Sequence, residues 1–171
     1  MSVLVEAISV VVRHEILDAR YPGGVMRYAA DCPNNTFCSD GRLTRVGFLS
    51  MRDVQFFVEM LESHGLTGAS AAASGDIAIV DQNQGPDPNC LWVDFGHLPD
   101  GIAHCWLAGE PTGRLIVPHN WEPGLLDAFE HAPGEPFARR MRFLRTEDNL
   151  DWFQDRSTGQ LIGVGRTFVT H

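Results

Sequence analysis

The chain has 171 residues, is 44% hydrophobic and 20% charged, and carries a formal net charge of −9 at pH 7. This balance excludes a disordered or low-complexity chain, and a fold of this size buries roughly 70% of its unfolded surface without disulfide staples. The acidic charge also excludes nucleic-acid binding as the main role, because a phosphate backbone demands a basic footprint.

All thirteen basic residues are arginines. Their planar guanidinium groups suit bidentate pairing with carboxylates, although GC-rich coding produces the same bias. The four cysteines, Cys32, Cys38, Cys90 and Cys105, match no CxxC zinc pattern, and nothing in their spacing requires Cys32 and Cys38 to pair. The apolar stretch from Val3 to Val12 is interrupted by Glu6 and lacks the basic flank and cleavage site of a secretory signal. No run reaches the eighteen or so apolar residues of a spanning helix. A cytoplasmic protein with no membrane association is expected.

In chain order, residues 3–13 are rich in β-branched side chains and predict one long, mostly buried strand. A short helix at 14–20 follows, ended by Tyr21-Pro22-Gly23-Gly24, then a second at 25–30. Residues 31–41 are loop and 43–49 a strand. Ser50 is a good N-cap for a helix at 51–64, which places Val54, Phe57, Val58 and Leu61 at core spacing and closes at Gly65. Asp53, Glu59 and Glu62 line its other face, as in an ordinary solvated helix.

After the small-residue linker at 68–75, a strand is expected at 76–82 and another at 114–118. A helix at 121–131 starts near Leu125. Residues 139–145 read as strand, 148–156 as a short helix and 160–169 as a closing strand. A weak echo links 44–82 to 139–169: Arg45, Phe48, Leu49 and Asp53 recur as Arg140, Phe143, Leu144 and Asp148, which fits a strand–helix–strand duplication.

Residues 90–109 carry the sharpest local signal. Leu98-Pro99-Asp100-Gly101 is a turn in which proline presets φ and glycine accepts φ > 0. The implied register sets Val93 opposite Leu107, Phe95 opposite Cys105 and His97 opposite Ala103, an almost wholly apolar face. The other face holds Trp92, Asp94 and Gly96 against Ala108, Trp106 and His104. Asp94 lies diagonally from His104, within reach of a hydrogen bond. Such a pair suits general-base chemistry, with the carboxylate fixing the imidazole tautomer and Trp92 and Trp106 walling a ligand. The same residues equally fit a covered second-layer core.

His97, His104, His119, Glu110 and Glu122 lie within twenty-six residues, but without metal-ligand spacing, so neither metal nor other cofactor is expected. No GxSxG elbow or phosphate loop is present, and Gly163-Val164-Gly165 reads as a close backbone approach within a strand. The elements predict an α+β fold forming a single domain over 1–171, with a largely antiparallel sheet, a central hairpin at 90–109 and two or three packed helices. The expected function is a non-catalytic acidic protein-binding module, such as an immunity or inhibitor protein, with a basic protein partner and a binding face of Trp92, Asp94, His104 and Trp106. The alternative is a small-molecule binder or enzyme using the Asp94/His104 face.

Overall fold

The β-branched N-terminal run makes two strands where one is expected. In a computed structural model, which describes residues 1–68, 74–119, 121, 141–148, 150–156 and 158–165, β1 (Ser2–Leu4) and β2 (Ile8–Arg13) belong to different sheets. The chain crosses between them at Ala7, whose φ of 47° is left-handed and costs an alanine on the order of 1 kcal/mol. Gln82 holds the crossing: its side-chain oxygen accepts from the Ala7 amide at 2.7 Å, and its own amide donates to the Ala7 carbonyl at 2.9 Å. Each strand sits inside its sheet, with neighbours on both edges and apolar layers on both faces. That is why the whole run reads as apolar rather than alternating.

The smaller sheet has the order β3 (Cys38–Ser39), β4 (Leu43–Phe48), β2, β5 (Ile77–Asp81), β6 (Gly85–Pro86), all antiparallel. Val10 and Val12 point to one face, where α1 (His14–Arg20), α2 (Gly24–Asp31) and α3 (Met51–Ser63) contribute Leu17, Tyr28, Val54, Phe57 and Leu61 to one buried cluster. The Ser50 hydroxyl caps α3 by accepting from the Asp53 amide at 3.3 Å.

The larger sheet has seven strands among the described residues. It takes in β7 (Val93–His97), β8 (Ala103–Leu107), β9 (Arg114–Val117), β10 (Met141–Glu147), β11 (Leu150–Asp155) and β12 (Leu161–Gly165) in the order β10-β11-β12-β9-β1-β8-β7. Among the described residues only the β1–β9 and β12–β9 pairings are parallel. Val3, Cys105, Ile116 and Trp152 from this sheet meet Val11, Leu43, Ala78 and Val80 from the other in the cluster between the two sheets. The outer face of the larger sheet carries Leu4, Leu115, Ile162 and Val164, with Trp121 beside them. The fold is α+β and largely antiparallel, as predicted.

Three expectations change. The hairpin at 90–109 lies at the edge of its sheet, with β7 as the outermost strand, instead of at the centre. The three helices of the described residues cover the other sheet, because α1 follows β2 and α3 follows β4, both strands of that sheet. Residues 150–155 form strand β11, not a helix. Asp148, at φ 52°, turns the chain tightly after β10, and Trp152 and Phe153 then point to opposite faces, the period of a strand. Strand–strand–strand thus stands where the echo of 44–82 would require strand–helix–strand. The helix at 121–131 beyond Trp121, the strand residues 139–140 and 166–169, and linker residues 69–73 lie outside the described residues. No helix among the described residues is long and apolar enough to cross a membrane.

Candidate functional site

The hairpin folds in the expected register. Val93 pairs with Leu107, Asp94 with Trp106, Phe95 with Cys105, Gly96 with His104 and His97 with Ala103. Gly101, at φ 85°, closes the turn, its amide donating to the Leu98 carbonyl at 2.8 Å, and the Leu98 amide donates to Ile102 at 2.8 Å. Val93, Ala103 and Cys105 are buried between the sheets, with Phe95 and Leu107 packed against them.

On the other face, His104 is only 6% exposed. Its Nδ1 lies 2.9 Å from the Ser2 hydroxyl, which itself donates to the Arg114 carbonyl at 3.3 Å. A hydroxyl has one proton, so with that proton given to Arg114, Ser2 accepts from an Nδ1–H imidazole. The Trp106 ring lies 4.9 Å from the imidazole and packs over Gly96, where a Cβ would come within 3.3 Å of Cη2. Burial, and secondly the charge of His97, push the His104 pKa below its usual 6.5.

Asp94 does not complete this group. It is exposed, and its side chain makes no hydrogen bond or ion pair among the described residues, so the expected Asp94–His104 pair is replaced by His104–Ser2. Ser2 takes the place because β1 inserts beside β8, a long-range pairing that the hairpin sequence does not reveal. Trp92 also leaves the expected face. It precedes β7 in a turn, where strand alternation does not govern direction, and it packs against the cluster between the sheets. Its Nε1 donates to the Gly75 carbonyl at 2.6 Å, and the Arg13 guanidinium lies 5.2 Å from its ring centre. The two tryptophans therefore do not wall one site.

Among the described residues no three His, Cys, Asp or Glu side chains converge on a common point, and Glu122 lies outside those residues. The four cysteines are free. Burial pushes the thiols of Cys32 and Cys38 up to about 12 and that of Cys105 higher still, which removes the thiolate needed for nucleophilic work.

Three features went unread in the sequence. The first is the exposure of apolar side chains at and before α3: Leu49, which precedes the helix, and Met51 and Phe56 on it are 84%, 46% and 59% exposed. Helical spacing sets Asp53 and Glu59, both exposed, on either side of Phe56. The Arg52 guanidinium lies 5.7 Å from the Phe56 ring centre. The second is Arg45, fully buried between the sheets and donating to the Ser9 hydroxyl at 2.9 Å and to the Thr36 and Glu6 carbonyls at 3.1 and 3.4 Å. A Cβ at Gly47 would fall within 2.3 Å of its Nη2, so the glycine makes the guanidinium's space. The third is a depression of about 430 Å³ lined by Met1, Asp40, Gly41, Arg42, Leu107 and Glu110, where the β3–β4 turn meets the end of β8.

Comparison of the chain with protein-family models, with curated proteins and with solved structures found no match.

Proposed function

We propose that the protein is a non-catalytic acidic binding module that caps a basic protein partner, in the manner of an immunity or inhibitor protein, with the outer side of α3 as its docking face. The observation that carries this reading is Phe56, 59% exposed at the middle of the helix face and flanked by Asp53 and Glu59. An exposed aromatic is the composition of an interface anchor, and the carboxylates on either side of it form a charged rim. A net charge of −9 supplies the long-range attraction for a basic partner. Arg52 over the Phe56 ring also illustrates how a partner's arginine would sit there. Action in the cytoplasm suits a protein with four free thiols.

The test is capture from the source organism's lysate at low and high salt, followed by association kinetics with the captured protein. A supporting partner is basic, and its association slows at least about tenfold near 1 M salt, where the screening length is about 3 Å. Phe56→Ala and the double variant Asp53→Asn/Glu59→Gln weaken it, whereas Asp94→Asn on the hairpin leaves it unchanged. A partner indifferent to salt and to the α3 variants overturns the reading. So does a metabolite released from the denatured protein whose binding depends on Asp94, which favours the small-molecule alternative.

A further inference from the structure

Three serine–histidine pairs stand within hydrogen-bond reach among the described residues, and the direction of the serine proton separates them. Ser2 donates its proton to the Arg114 carbonyl and is buried. Ser63 donates to the Met60 carbonyl at 2.6 Å, and Nδ1 of the adjacent His64 donates to the same carbonyl at 2.8 Å. In both pairs the serine proton is directed away from the imidazole, so neither histidine can act as a base on its serine.

Ser39, at the end of β3, differs. Its Oγ accepts from the Gly41 amide at 3.1 Å and lies 3.4 Å from Nδ1 of His14, which is the acceptor for its own proton. On the other side of the ring, Nε2 lies 3.4 Å from Asp18 Oδ2, one turn along α1. The Asp18 carboxylate is itself held by the Val25 amide, which donates to Oδ1 at 3.1 Å. A carboxylate beside Nε2 favours the tautomer protonated there, which leaves Nδ1 as the acceptor facing the serine hydroxyl. Nucleophile, base and carboxylate thus stand in the order that activates a serine, with the loose spacing common before a substrate binds. Ser39 and His14 are half-buried and Asp18 is exposed, so the group lies at the surface rather than in the core.

We propose that Ser39 is a modification site that takes an acyl group from an activated ester, with His14 as the general base and Asp18 as the residue that positions it. In the transfer, the Ser39 oxygen bonds to the ester carbonyl carbon and its proton passes to His14 Nδ1. The bond from that carbon to the leaving alcohol then breaks, and the alcohol takes the proton from His14. The amides of Gly41, Arg42 and Leu43 already donate to Ser39 and Asp40, so they form no oxyanion hole, and the acyl-serine persists instead of turning over. The chain has no lysine to compete for the acyl group. The site is separate from the docking face on α3 and requires one transfer per molecule rather than catalysis.

The experiment exposes the full-length chain to p-nitrophenyl acetate, follows p-nitrophenol release and locates the acetyl group by peptide mass spectrometry. The expected result is acetylation of Ser39 at least about tenfold faster than that of Ser63, the internal control whose proton is directed elsewhere. Ser39→Ala removes the label, and His14→Gln slows it at least about tenfold. Asp18 acts through His14, so its role is read from the imidazole nitrogen shifts of the unmodified protein. Wild type should carry the neutral ring's proton on Nε2. Asp18→Asn should shift that balance and slow acetylation, and Asp18→Glu, which keeps a carboxylate, should restore both. The tautomer in wild type keeps the question answerable if a variant fails to fold. Absence of acetyl-Ser39, equal labelling of Ser39 and Ser63, an unchanged rate in His14→Gln, or a tautomer on Nδ1 or indifferent to Asp18 overturns the proposal.

Discussion

His104 is the residue whose chemistry most depends on its surroundings. Its neutral form accepts a place between Ser2, Trp106 and Gly96 that the imidazolium would enter only by shedding water. The folded pKa is lowered, so the unfolded chain takes up the proton first. Stability from this group is therefore complete above about pH 6.5 and is lost as the pH falls through the folded value. Urea midpoints measured at about pH 7.5 and 5.5 test this. Wild type should lose stability over that interval, and His104→Gln should lose less. An identical loss in both proteins would assign the effect to other groups. At the same scale, Arg45 shows what a local reading misses. In Leu43–Phe48 it looks like a solvated arginine on a strand, but Glu6 and Ser9 from one stretch and Thr36 from another come to accept from it.

Among the elements, α3 was legible because its signals are local: a serine cap, an acidic first turn, core spacing and a terminal glycine lie within one segment. Ser50→Ala removes the oxygen that accepts from the Asp53 amide and should cost about 1 kcal/mol, read as a lower denaturation midpoint at unchanged m-value. An unchanged midpoint would mean that water caps the helix equally well. The hairpin was legible for the same reason, since Pro99-Asp100-Gly101 sets both turn and register within a few residues. Residues 150–155 were not. Their Asp, Trp and Gln content fits a short helix in isolation, and they are strand because β10 and β12 pair along both edges.

At the scale of the whole molecule, stability rests on the layer shared by the two sheets. Ile116 is fully buried there, on β9, between the parallel neighbours β1 and β12. Ile116→Ala should cost about 2–5 kcal/mol through lost burial and the cavity left behind. If the sheets form one cooperative unit, fluorescence of Trp152, in the same layer, and far-UV circular dichroism should report a single coincident transition for this variant. Two separated transitions would mean that the sheets unfold independently.

The sequence by itself determined the α+β class, the capped helix, the hairpin register and the acidic surface, because each depends on composition or on contacts a few residues apart. Only the tertiary structure decided that the first apolar run serves two sheets, that the hairpin lies at an edge, and that His104 pairs with Ser2 rather than Asp94. The same holds for Asp40, Arg42, Leu107 and Glu110, which meet at one depression. These are contacts between residues more than a hundred positions apart. Many strand pairings satisfy the same alternation pattern, and the choice among them is made by which arrangement buries all the apolar faces at once.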